Sequence, residues 1–173
     1  MSAFVSRPLG DGDDLTAFSC GQPEIDRWVH TTAARAHRAG ICRVTVWVEE
    51  ATGTIAAIFA LAPTQVVRRS AALTGSMAAG FTLIPAWRIG QLGVDQRFQN
   101  QGIGRQLLQD ALLRIWQAAM IGGGRPVVID PLTPRVAHWY DSLGFRATEP
   151  DGEKPAPRYL LVAAIHATRA APP

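Results

Sequence analysis

Apolar and polar positions change rhythm several times along the chain, and each change marks an element. Phe4 to Leu9 reads as a first strand. A polar loop then leads into "QPEIDRWVH", where Pro23 falls in the first turn of a predicted helix and Glu24 and Asp26 lie at its positive end. At roughly 100° per residue, Ile25, Trp28, Val29, Thr32 and Ala36 share one side of a helix running to about Ala39. Arg27, Arg35 and Arg38 gather on another side, and Gly40 ends the pattern.

The next stretch turns to strands. "RVTVWVEE" and "ATGTIAAIFALA", joined through Gly53, predict an antiparallel hairpin. Residues 63 to 85 carry prolines, glycines and serines and read as a long irregular excursion. "RIGQLGVD" is a short apolar strand whose Gly93 implies a bulge or bend. From Ile103 the positions Leu107, Leu108, Ala111, Leu112, Ile115 and Ala119 keep helical spacing until Gly122, Gly123 and Gly124 interrupt it. "RPVVID" reads as a buried strand. "TPRVAHWYDSLGF" reads as a short helix opened by Pro134 and closed by Gly144, "RYLLVAAIH" as a last strand, and the tail "ATRAAPP" as frayed.

Composition narrows the class without naming a chemistry. A chain of 173 residues is most simply one domain, residues 1–173, able to bury about two thirds of its unfolded surface. Hydrophobic residues at 47% and charged residues at 18% describe a soluble globular protein, with no apolar run long enough for a membrane span. The start "MSAFVSR" lacks the basic and apolar regions of a secretory signal, which points to the cytoplasm. Cys20 and Cys42 fall in no paired spacing and the four histidines are scattered, so no metal site is expected and both thiols read as core residues. Sixteen of the 17 basic residues are arginine and the net charge is +3, a bias that suits an anionic partner but decides nothing by itself.

The chemistry concentrates in "DQRFQNQGIGRQLLQDALLR", Asp95 to Arg114, where Gly102 and Gly104 stand one residue apart at the start of the clearest helix. Strand, glycine turn and helix together offer backbone N–H groups and a positive helix end to an anion. A Walker loop is excluded because no lysine is near, and a dinucleotide fingerprint because its third glycine position is Leu107.

Gln99-Asn100-Gln101-Gly102-Ile103-Gly104 instead resembles the Q/R-x-x-G-x-G/A signature of the GNAT superfamily of N-acetyltransferases. The flanking strand and helix stand in that family's order, and "YDSLGF", Tyr140 to Phe145, resembles its later Tyr-x-x-x-Gly-Phe stretch. The resemblance implies an α+β fold, a mixed and mainly antiparallel sheet flanked by helices, with splayed central strands. It implies acetyl-CoA as co-substrate. The backbone of Gln99, Asn100, Gln101, Gly102, Ile103 and Gly104 would cradle its pyrophosphate, with Arg105 at the rim and Leu92 and Val94 offering main-chain groups to the pantetheine arm. Gly102 and Gly104 would remove Cβ atoms that collide with it. Tyr140 stands where the family places its general acid; the competing reading is a core tyrosine whose hydroxyl is tied to a neighbour. No carboxylate stands out as a base, since Asp95 and Asp130 serve equally well as caps or arginine partners.

One subgroup is more similar still, the GNAT toxins of toxin–antitoxin operons, which acetylate the α-amine of aminoacyl-tRNA. Their F-x-C-G stretch corresponds to Phe18 to Gly21, and their I-P-x6-L-x-V-D stretch to Ile84 to Asp95. The resemblance implies aminoacyl-tRNA as acceptor, bound through Arg27, Arg35, Arg38 and Arg43, and a ribbon-helix-helix antitoxin as partner. Arg68, Arg69, Arg88 and Arg97 are further RNA-contact candidates. Dimerisation is common in the family and the composition permits a homodimer. Gln91, Gly93, "PLTP" and the lack of a cleft lysine depart from the commoner pattern, and they bear on the acceptor pocket. Acetylation of a small amine or protein N-terminus, and a silent CoA-binding module, are the alternatives.

Overall fold

The computed structural model of the chain describes residues 3–69 and 73–165. Seven strands form one sheet in the order β1-β2-β3-β4-β5-β7-β6. They are β1 (Phe4–Pro8), β2 (Arg43–Glu49), β3 (Ile55–Val67), β4 (Leu83–Val94), β5 (Pro126–Ile129), β6 (Arg146–Ala147) and β7 (Arg158–Leu161). The pairs β1–β2, β2–β3, β5–β7 and β6–β7 are antiparallel and β4–β5 is parallel, the mixed and mainly antiparallel sheet expected. Its residues divide into two compact units, Met1–Ala62 with Gly90–Ala111 and Pro63–Ile89 with Leu112–Pro173.

In the first unit, the β1–β2–β3 ladder carries a core of Leu9, Val44, Val46, Ile55, Ile58 and Ala60, against which Phe18, Cys20, Ile25, Val29 and Ala33 pack. The predicted helix from Pro23 to Ala39 is three joined pieces: α1 (Pro23–Trp28), a π-helical turn (Val29–Ala33) and α2 (Ala34–Arg38). The wider turn shifts the phase of the inward face. Ala33 is therefore fully buried while Thr32, predicted to face inward, is only half-buried. Arg27, Arg35, Arg38 and Arg43 are all exposed.

In the second unit, Ile84, Val128 and Tyr159 pack with Leu73 and Ala78. All four residues of β5 are buried, as a strand covered on both faces requires. The expected irregular stretch at 63–85 is shorter than the prolines suggested. β3 continues to Val67, β4 begins at Leu83, and the Arg68 N–H bonds the Thr82 carbonyl at 2.9 Å. Pro63 and Pro85 lie within strands, where the alternation of half-buried and exposed positions is the better guide. The last strand ends at Leu161, which pairs with Pro126, the first residue of β5; the Val162 N–H still donates to the Arg125 carbonyl at 2.7 Å, and Val162–Ala164 then turns into a 3-10 helix. His166 and the tail lie outside the described residues.

α3 (Ile103–Gly122) begins in the first unit and ends in the second. It buries Ile103, Leu107, Leu108, Ala111, Leu112 and Ile115 as the spacing predicts, with Ala119 only half-buried. Asp110, on its first half, accepts the Trp47 indole N–H at 2.9 Å and the Ser6 hydroxyl. Among the described residues no helix is long and apolar enough to cross a membrane.

Candidate active site

The glycine loop of residues 99–105 rests on a segment more than seventy residues earlier in the chain. The Gln96 N–H donates to the Ser19 carbonyl at 2.9 Å, and the Ser19 N–H to the Asp95 carboxylate at 3.1 Å. The Gln99 side-chain amide donates to both the Cys20 and Val94 carbonyls, at 2.9 and 2.8 Å. From the other side, Asp26 of α1 accepts the Ser19 hydroxyl and the Cys20 N–H, each at 2.8 Å. Gly93 lies against Cys20 so closely that an added Cβ would sit 3.2 Å from the Cys20 Cβ. The Phe18–Gly21 stretch is thus the bed of the loop, which gives a physical reason for that signature. The Gln99 and Asp26 contacts escaped the sequence reading, although the F-x-C-G stretch marked the place.

The loop itself is shaped as an anion cradle. Asn100 and Gly102 have positive φ, 60° and 78°, the left-handed turns that point successive amides to one side. Among the described residues no backbone N–H from Asn100 through Gly104 finds a hydrogen-bond partner. The chain resumes pairing at Arg105, whose N–H bonds the Gly102 carbonyl at 3.2 Å. Five consecutive free donors at the start of a twenty-residue helix match the chemistry of a pyrophosphate. The two glycines differ. Gly102 is required by its backbone angle, whereas Gly104 has ordinary angles and an added Cβ would touch only a Val94 methyl at 3.9 Å. Nothing in the chain itself calls for a missing side chain at Gly104.

Leu92 and Val94 are half-buried on the last part of β4. The parallel ladder with β5 runs from Trp87↔Val127 to Ile89↔Ile129, and β4 continues five residues past it to Val94. One lone pair of the Val94 carbonyl is already taken by Gln99.

Tyr140 lies in the second unit on α4 (Pro134–Ser142), which Thr133 caps through its hydroxyl oxygen and Leu143–Gly144 closes. Its ring packs on Trp139 and Phe145 at centroid distances of 5.0 and 5.5 Å and is 4% exposed. Among the described residues its hydroxyl has no hydrogen-bond partner, yet no fully buried side-chain oxygen lacks one. The oxygen therefore reaches an opening while the ring stays buried. This is unlike a core tyrosine tied to a neighbour. Burial raises the phenol above its usual range and keeps it protonated at neutral pH.

Asp95 and Asp130, the two carboxylates weighed as bases, are both engaged. Burial alone would push the Asp95 carboxyl up, but hydrogen bonds from the Arg97 side chain, the Arg97 and Ser19 N–H groups and the arginine charge hold it below the usual range. It both caps the 3-10 turn Gln96–Phe98 and pairs with Arg97 at 2.7 Å. Asp130 pairs with Arg88. Arg38, at the end of α2, makes a loose pair with Asp11 at 4.0 Å, and Arg43, at the start of β2, reaches the His37 carbonyl at 3.5 Å. Cys20 is buried and its thiol is pushed up to about 12 by desolvation, which makes it inert.

Residues 42–147 match the acetyltransferase (GNAT) domain family. A protein described as tRNA-acetylating toxin from Mycobacterium tuberculosis (strain ATCC 25618 / H37Rv) is 30% identical over 87% of this chain and 90% of its own length. The probable toxin TacT of Sinorhizobium fredii (strain NBRC 101917 / NGR234) is 30% identical over 88% and 87%. The fold is shared with AtaT complexed with acetyl-methionyl-tRNAfMet, at a TM-score of 0.83, 22% identity and coverage of 97% and 100%. It is also shared with a mutant AtaT bound to acetyl-CoA and to the C-terminus of the antitoxin AtaR, at 0.79, 22%, 97% and 99%.

Proposed function

Because the chain belongs to the GNAT acetyltransferase family, we propose that it transfers acetyl from acetyl-CoA to the α-amine of an aminoacyl-tRNA and so blocks translation. In this reading it is the toxin of a toxin–antitoxin pair and acts as one domain over residues 1–173. The observation that carries the chemistry is the pairing of two features in one chain: five free amides around Gly102 and an unpartnered tyrosine hydroxyl at Tyr140. The first suits the pyrophosphate of acetyl-CoA, with Gln99 to Arg105 around it and Leu92 and Val94 along the pantetheine arm. The second suits a proton donor.

In the reaction the amine lone pair attacks the thioester carbonyl, the C–S bond breaks, and the amine nitrogen gives up a proton to solvent. Tyr140 donates its hydroxyl proton to the departing thiolate and is later reprotonated from water. Its raised phenol range keeps that proton in place at working pH. Asp95, committed to Arg97 and two backbone amides, is not offered as a base. An α-amine, with an unperturbed pKa of about 7.7–8.0, is substantially neutral at working pH, whereas a lysine at about 10.4 needs a base. With Asp95 and Asp130 both paired to arginine, neither is offered as a base, which favours the α-amine.

Arg27, Arg35, Arg38 and Arg43 are exposed on one segment and would track RNA phosphates. Arg88 and Arg97 are weaker candidates because Asp130 and Asp95 already hold them. The partner we infer is a ribbon-helix-helix antitoxin, and the composition permits a homodimer. The test is incubation with labelled acetyl-CoA and total charged tRNA: RNase-sensitive label, lost in Tyr140→Phe, is expected. Label confined to protein or small amines would overturn the acceptor assignment.

A further inference from the structure

Arg158 opens β7 with a guanidinium 2% exposed, in a strand that is otherwise apolar. All five of its N–H donors are used. Nε and Nη2 bond the two carboxylate oxygens of Asp141 at 2.8 and 3.2 Å. Nη1 and Nη2 bond those of Asp151 at 2.7 and 2.9 Å, and Nη1 also reaches the Ala156 carbonyl at 2.8 Å. Asp151 in turn accepts the Ala156 N–H at 2.8 Å. The arginine thus joins three segments: β7, the 151–157 loop and α4.

Asp141 is the residue after Tyr140 on α4, a helix of nine residues. Neighbours on a helix are rigidly related, so whatever fixes the roll of α4 at Asp141 fixes the aim of the Tyr140 side chain. With side-chain tips about 5–6 Å from a helix axis, a roll of about 10° moves a tip by about 1 Å. A misplacement of about 1 Å costs a reaction on the order of 100-fold. The guanidinium is buried while both carboxylates stay half-exposed, and a charged group taken out of water contributes little net stability compared with a well-packed apolar group of similar size, so stability alone does not account for an arginine here. A two-toothed grip on one carboxylate, oriented by a second, restricts rotation as no apolar contact does.

We propose that Arg158, acting through Asp141, is the positioning residue for the Tyr140 hydroxyl. This rests on the acid role given to Tyr140 above. The test is a double-mutant cycle of Arg158→Lys and Tyr140→Phe, with Asp141→Asn as a second arm that keeps the carboxylate's shape at a half-exposed site. Acetyl transfer to charged tRNA is followed together with thermal midpoint and acetyl-CoA affinity. Arg158→Lys lowers kcat about 10- to 100-fold with the acetyl-CoA KM within about twofold, and Asp141→Asn does the same to a lesser degree. In the Tyr140→Phe background either substitution changes kcat by less than about twofold, because the group being aimed is gone.

Losses that multiply in the double variants, or a lowered midpoint with kcat intact, overturn the proposal and leave Arg158 merely structural. If Tyr140→Phe keeps full kcat, the acid assignment falls and this inference with it. If Tyr140→Phe lowers kcat sharply while both clamp variants keep kcat within about twofold of the unaltered protein, this inference falls alone. If charged tRNA takes no label from the unaltered protein, the acceptor assignment fails separately, and the cycle is read on thiol release from acetyl-CoA.

Discussion

Replacing each loop glycine by alanine separates its two roles, because the structure gives the pair opposite signs. Gly102 has φ +78° with nothing within 4 Å of an added Cβ, so Gly102→Ala meets no atom but must hold a left-handed backbone. That conformation costs about 1–2 kcal/mol for an L-residue, against roughly 0.4–1 kcal/mol recovered from a less flexible unfolded chain. The net loss is about 0.5–1 kcal/mol, a fall in midpoint of roughly 1–4 °C for a chain of this size. Gly104 lies in the first turn of α3 at ordinary angles and meets only Val94 Cγ2 at 3.9 Å. Alanine there is the better helix former by up to about 0.5–1 kcal/mol, so the ligand-free midpoint rises by about 1–4 °C. Ligand binding diverges in another way. If alanine at 102 relaxes the left-handed turn, the five amides no longer converge, and acetyl-CoA affinity falls at least about tenfold, or 1.4 kcal/mol. Alanine at 104, which the signature admits, has a smaller effect. Differential scanning fluorimetry and calorimetric titration read both quantities. A Gly102→Ala variant as stable as the parent with undiminished acetyl-CoA binding would refute the reasoning.

Four further outcomes are expected. With no engaged base, kcat/KM for the acceptor rises with pH through the amine's range, about 7.7–8.0, and shows no alkaline fall below about pH 10 because burial raises Tyr140; initial rates corrected for ester hydrolysis decide it. The depressed Asp95 carboxyl contributes stability that is present above its unfolded pKa of about 3.9 and is lost as pH falls through the lower folded value. Asp95→Asn therefore flattens the midpoint-versus-pH curve below about pH 4. Each of Arg27→Gln, Arg35→Gln and Arg38→Gln that removes a phosphate contact lowers the slope of log affinity against log salt by about 0.7–0.9; unchanged slopes for all three would move the RNA path elsewhere. Cys20, buried with its thiol pushed up to about 12, resists alkylation at pH 8 until the protein unfolds.

Local patterns were readable where one segment decides its own structure. The spacing of Leu107 to Ile115, the caps of α4 and the glycine turn all follow from neighbours a few residues apart, and the structure keeps them. Readings failed where distant partners intervene. The π turn at Val29–Ala33 rephases a helix that periodicity treats as regular. β3 and β4 run into the proline-rich stretch because cross-strand bonds outweigh local propensity, and β7 ends at Leu161, opposite the first residue of β5. The same limit applies to the site. Tyr140 is a candidate through resemblance, but the Arg158 ion-pair cluster is not legible in the sequence, since its partners at 141 and 151 are brought to it only by the folded second unit. A lone arginine heading an apolar strand was the one available signal.

The tight seat of Gly93 on Cys20 has a consequence for descent. Positions 20 and 93 stand far apart in the gene but adjoin in the protein, so a side chain at 93 is accommodated only as the Cys20 side chain gives way. A lineage that acquires a side chain at 93 must first, or at once, yield volume at 20. The history of the glycine loop is then written partly in a stretch of chain more than seventy residues before it.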